Sequence, residues 1–195
     1  MNRYYELGPD KQLNEIVIAG SHDAGITSGD TNVKTQSLDI GEQAHAGVRV
    51  FDLRIAAQTL PGQQVGFPKQ AELKAFHANP AAMKNEIKSR SLGGALPVEL
   101  QRTKFKLGAG DFGIGLNEML RDAQRFVTSQ DGAKEFLILK FDKCLNWPLI
   151  ADACRRELGD QMFKRHVNLN VQKLKDLAGW VICVFSDKGV IEIAH

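Results

Sequence analysis

Four segments in the second half of the chain alternate between helical and extended patterning, and that rhythm limits the fold more than any other feature. "LNEMLRDAQRFV" puts Leu116, Met119, Leu120, Ala123, Phe126 and Val127 on one helical face, with Asn117 near its start. "EFLILKFDK" (Glu135–Lys143) is an apolar run of strand length, and "WPLIADACRREL" returns to helix, opened by Pro148. "LKDLAGWVICVFS" is a helix end running into a further strand. Strands joined through helices in this way build a parallel sheet, so the spacing predicts an α/β architecture.

The first half continues the theme. "IVIAG" (Ile16–Gly20) reads as a buried strand, and "SLDIGEQAHAG" as a short helix stopped by Gly47. "VRVFDLRIA" (Val48–Ala56) reads as one alternating strand. Val48, Val50, Asp52 and Arg54 share one face of it, and Arg49, Phe51, Leu53 and Ile55 the other. "KAFHA" is a brief strand. Residues 79–115 carry Pro80, Pro97 and a glycine cluster, and read as a long insertion with a short helix around Ala81–Arg90. The expected organisation is a single domain over residues 1–195 with that insertion.

In parallel α/β sheets, chemistry gathers at the carboxyl ends of strands. His22 and Asp23, in "IAGSHDAG", lie just past one such end, as do Arg54, His77 in "AFHAN", and Asp142. Each has a plainer explanation. Asp23 can be a turn former, a lone histidine is commonly structural, and Asp52 with Arg54 can be a structural ion pair. Together they hold two imidazoles, carboxylates and a guanidinium. That set suits general acid–base work on a phosphodiester, with one imidazole taking a proton, the other giving one, and the guanidinium holding phosphoryl charge.

On "IAGSHDAG", "QSLDIGEQAHAGVRVFDLRIA", "AFHAN" and "EFLILKFDK", the sequence resembles the bacterial phosphatidylinositol-specific phospholipase C-like phosphodiesterases. The resemblance spans residues 13–57 and, more loosely, 116–186. It implies a partial or distorted TIM-type (β/α) barrel with about five parallel strands. It also implies that His22 is the general base for the inositol 2-hydroxyl, and that His77, helped by Asp23, is the general acid for the leaving group. Asp52 and Arg54 would line the site, Arg54 contacting phosphate, and Lys140 and Asp142 would bind the polar head. Calcium-dependent relatives carry a second carboxylate where this chain has Arg54, so the expected chemistry needs no metal and calcium is disfavoured.

The remaining totals mostly exclude. A net charge of +2 does not argue for nucleic acid. Lys69–Lys106 holds eight Lys/Arg against three Asp/Glu, which suits an anionic partner or a solvated loop. Cys144, Cys154 and Cys183 have no framework spacing, and the N-terminus shows no secretory h-region. The expected location is cytoplasmic, or exported by a signal-less route. "GAGDFG" (Gly108–Gly113) spells G-x-G-x-x-G, but the preceding "TKFKL" is too polar for a buried parallel strand, so it reads as a loop leading to a helix. His45 and His166 read as surface and loop, and Trp147 and Trp180 as packing.

Three functions therefore stand at this point. They are an inositol-phospholipid phosphodiesterase touching membranes peripherally, a lipid- or phosphate-binding module without turnover, and a dinucleotide binder using Gly108–Gly113. A complete (β/α)₈ barrel needs about 250 residues, so a second chain, a self-associated copy or a lost C-terminal portion is expected to complete the site. In the family, a carboxylate from the other half of the barrel partners the general-base histidine, so His22 is left without an identifiable partner.

Overall fold

The computed structural model describes residues 3–28, 34–59, 71–78, 110–145 and 147–194. Among them the strands are β1 (Gly20–Ser21), β2 (Val50–Leu53), β3 (Ile55–Thr59), β4 (Ala71–Ala78), β5 (Gly110–Gly115), β6 (Leu137–Phe141) and β7 (Val181–Phe185). The α-helices are α1 (Ile40–Ala46), α2 (Leu116–Thr128), α3 (Trp147–Leu158), α4 (Leu174–Leu177) and α5 (Asp187–Ala194). The parallel sheet runs β1-β2-β6-β7, and β3-β4-β5 form a second, antiparallel sheet.

Register explains where the polar residues go. Val50 pairs with Ile138 and Ile138 with Ile182; one step up, Asp52 pairs with Lys140 and Lys140 with Val184. Residues of alternate parity, Phe51, Leu53, Leu137, Leu139 and Phe141, turn the other way and are fully buried among Leu116, Met119, Leu120 and Ile150 of the helices. Each such side chain contributes about 1.5–3 kcal/mol of burial. The lower inner layer is plugged by Tyr4, Leu13, Phe163, Leu174 and Leu177. Above that plug, at the carboxyl ends of β2 and β6, the layer becomes Asp52 and Lys140. The sheet thus buries both faces at its base and opens a polar mouth at its top.

At the base, Arg49 is fully buried beside Glu135, with Nε 2.9 Å from Oε2. Its Nη1 donates to the carbonyls of Ala44 and Val48, and the guanidinium lies over the rings of Tyr4 and Phe126. Helix α1 begins at Asp39, whose carboxylate accepts from the Glu42 N–H in a capping box, and ends at Gly47, where φ of 110° favours glycine.

Four expectations change. The Ile16–Gly20 strand shrinks to Gly20–Ser21, because the Ala19 N–H donates to the Tyr4 hydroxyl instead of a neighbouring strand. Val48–Ala56 is two strands, since beyond Leu53 the chain turns to a new partner and the Arg54 carbonyl accepts from Phe76 N–H. "KAFHA" belongs to β4 and is antiparallel, so the parallel sheet has four strands. Gly110–Gly115 is strand β5, not a loop. Gly113 is needed there because a Cβ would sit 2.1 Å from the Gly25 carbonyl oxygen, which accepts from Ile114 N–H. The remainder of the insertion, with Ala81–Arg90 and most of the basic stretch, lies outside the described residues.

Candidate active site

The turn after β1 positions the first two residues. Asp23 has φ of 46°, a left-handed value tolerated by Asp when its neighbours fix it. Its carbonyl accepts from Ile26 N–H and the Thr35 hydroxyl, and the next N–H, of Ala24, donates to the Asp52 carbonyl. The Gln36 amide donates to the His22 carbonyl at 2.8 Å. These tethers point the Asp23 carboxylate inward, where its side chain is 0 % exposed, and leave His22 66 % exposed.

Asp23 is the hub. Its Oδ2 lies 2.7 Å from His77 Nδ1 and 3.4 Å from His22 Nε2. The Arg54 Nε lies 3.1 Å from Oδ1 as an ion pair, although Oδ1 takes no directed hydrogen bond. Burying a lone carboxylate is costly, and here a guanidinium and two imidazoles surround it. Asp52 forms a second hub. Its Oδ2 lies 3.0 Å from His22 Nδ1, and its Oδ1 accepts from Lys140 Nζ at 3.2 Å. Lys140 also lies 3.8 Å from Asp142.

The fold brings His22, Asp23, Asp52, Arg54 and His77 into one continuous network, with Lys140 and Asp142 on its rim. His22 has a carboxylate partner after all, in Asp52. Sequence alone did not single out Thr35 and Gln36, which hold the turn, or the Arg49–Glu135 pair beneath it; Thr and Gln in a polar segment give no signal of what they tether. His45 is exposed on α1 with its ring edge against Phe126, and His166 lies in an exposed loop. Trp147 and Trp180 pack against Phe185 and Phe163.

His22, Asp23 and Asp52 bring ligand atoms within 4.8 Å of one another, close enough to share a cation. The two carboxylates already face Arg54 and Lys140, whose charges oppose a divalent ion. Calcium takes about 6–8 oxygen ligands, more than these two carboxylates supply. The donor set fits calcium poorly.

No protein-family model matches the chain, and no curated protein does. Solved structures do. A phosphatidylinositol-specific phospholipase C of S. aureus matches with a TM-score of 0.57 at 18% identity, over 92% of this chain and 50% of that one. A second structure of the S. aureus enzyme gives 0.55 at 20% identity, over 93% of this chain and 51% of that one. PLC21 of L. pealei gives 0.53 at 12% identity, over 90% of this chain and 19% of that one. The chain shares their fold. With its four parallel strands and flanking helices it is a partial TIM-type barrel, and it spans about half the length of the S. aureus enzyme.

Proposed function

We propose that the protein is a phosphodiesterase of phosphatidylinositol-specific phospholipase C type, acting on an inositol phospholipid or a related anionic phosphodiester. The observation that carries this is the convergence of two imidazoles, His22 and His77, on one buried carboxylate, Asp23, beside Arg54. His22 takes the proton of the inositol 2-hydroxyl as that oxygen attacks phosphorus. The bond from phosphorus to the glycerol oxygen breaks, and His77, held through Nδ1 by Asp23, protonates the departing oxygen. The products are a cyclic inositol phosphate and diacylglycerol. Arg54 neutralises the developing phosphoryl charge in place of a metal ion, and Lys140 and Asp142 on the rim contact the sugar hydroxyls.

His22→Ala and His77→Ala are expected to lower turnover about 10²-fold or more while the fold survives, since both rings stand outside the core. Unchanged turnover in either variant overturns the assignment. Head-group binding without turnover in the unmodified protein points to the non-catalytic module instead.

The S. aureus structures concern an enzyme whose membrane binding is modulated, and peripheral contact with a lipid surface is proposed here too. Among the described residues no helix is long and apolar enough to cross a membrane. The last strand of the parallel sheet, β7, borders a groove of about 280 Å³ lined by Ala151, Arg155, Met162, Phe185, Val190 and Ile193. Val190 is 56 % exposed and Ile191 60 %. We propose that a second chain or a second copy covers this side. Sedimentation showing a monomer with full activity contradicts it.

A further inference from the structure

We infer that Asp52 is the positioning residue of His22, so that this half of the barrel carries two complete imidazole–carboxylate pairs of its own. His22 stands on a turn with an exposed ring, and exposed rings rotate freely unless something holds them. Asp52 is placed to do so. It sits on β2 between Phe51 and Leu53, both fully buried, so its backbone is fixed. Its Oδ2 meets His22 Nδ1 at 3.0 Å, the shorter of the ring's two carboxylate contacts. The other oxygen is held by Lys140, its register partner on β6. Parallel pairing of β2 and β6 therefore locks the carboxylate from below and from the side, and the carboxylate locks the ring.

The consequence is a tautomer. The hydrogen bond at one ring nitrogen decides which nitrogen carries the proton. With Asp52 at the shorter contact on Nδ1, neutral His22 keeps its proton there and carries its lone pair at Nε2, on the side of Asp23. Asp52 touches no reacting atom. It acts through His22, as Asp23 acts through His77.

The first test needs no substrate. Nitrogen-15 NMR of the histidine rings, recorded at about pH 8.5, above the ordinary imidazole range, is expected to show His22 in the Nδ1–H form. Asp52→Asn is expected to move it toward Nε2–H. An Nε2–H ring in the unmodified protein overturns the inference, and that measurement stands even if the variant does not fold. The second test rests on the phosphodiesterase proposal and uses p-nitrophenyl inositol phosphate, whose leaving group departs without a proton. Asp52→Asn and His22→Ala are each expected to lose about 10²-fold or more, whereas His77→Ala loses far less. In the His22→Ala background, Asp52→Asn is expected to cost nothing further, because the two residues act as a unit. An equal loss in both backgrounds would mark Asp52 as merely structural and sink the inference. No turnover by the unmodified protein removes the phosphodiesterase proposal, and the NMR result then decides Asp52 by itself.

Discussion

Asp23 and His77 are 54 residues apart in the chain, yet Oδ2 of one lies 2.7 Å from Nδ1 of the other. The chain's change of partner at Arg54 makes this contact. β2 leaves the parallel sheet there, β3 starts the antiparallel one, and β4 returns with His77 beside the first turn. Asp23→Asn removes the carboxylate that holds the His77 ring through Nδ1. It is expected to lower cleavage of phosphatidylinositol about 10²-fold, with a much smaller loss on the p-nitrophenyl substrate. Equal losses on both substrates would detach Asp23 from leaving-group protonation.

Arg54 offers a planar fork, and its Nε already faces Asp23 at 3.1 Å. Arg54→Lys keeps the charge but loses the fork, so kcat/KM is expected to fall about 10- to 100-fold with little change in melting temperature. Full activity in this variant, measured on vesicle-bound substrate, would remove the phosphate-contact role.

The buried Arg49–Glu135 pair predicts a stability effect away from the mouth. Glu135→Ala takes the carboxylate from a fully buried guanidinium and also strips the Tyr5 N–H of its acceptor. A loss of about 3–5 kcal/mol is expected by urea unfolding. A loss below about 1 kcal/mol, the scale of exposed pairs, would show that the pair is solvated in solution.

Cysteine chemistry supplies a pH test. Burial pushes the Cys144 thiol up to about 12. It therefore stays overwhelmingly protonated, and slow to react, throughout the neutral and mildly alkaline range. The neighbouring Cys183, and then burial, push Cys154 up as well, whereas Cys183 is half-buried. Iodoacetamide labelling of the folded protein at pH 7 and at pH 9, read by mass spectrometry, is expected to modify Cys183 first and to spare Cys144 at both. Labelling of Cys144 as extensive as that of Cys183 at pH 9 in the folded state would contradict its burial.

His22 and Asp23 were legible because they follow the apolar run Ile16–Gly20, and Lys140 and Asp142 because they close the apolar run of β6. The faces of β2 were legible too, since alternation alone separates Asp52 from Phe51 and Leu53. The break at Arg54 was not. Phe51, Leu53 and Ile55 are all fully buried, so the apolar alternation runs unbroken through a change of sheet. Periodicity reports which side is buried and is silent on which strand supplies the hydrogen bonds. Strand β5 was hidden differently: glycines that signal a loop are there to let Gly113 approach Gly25. The partner of His22 escaped because it depends on parallel register between β1 and β2, which places Asp52 beside the turn. A residue 30 positions away has no local signature.

Cleavage of a phosphodiester by internal attack without a metal ion, as proposed for this network, leaves its mark on the first product. The direct measurement is phosphorus-31 NMR of phosphatidylinositol vesicles incubated with the full chain in excess EDTA. A cyclic inositol phosphate is expected as the first product, formed at the same rate with and without the chelator. An open-chain phosphomonoester appearing first, or turnover abolished by EDTA and restored by calcium, would contradict it.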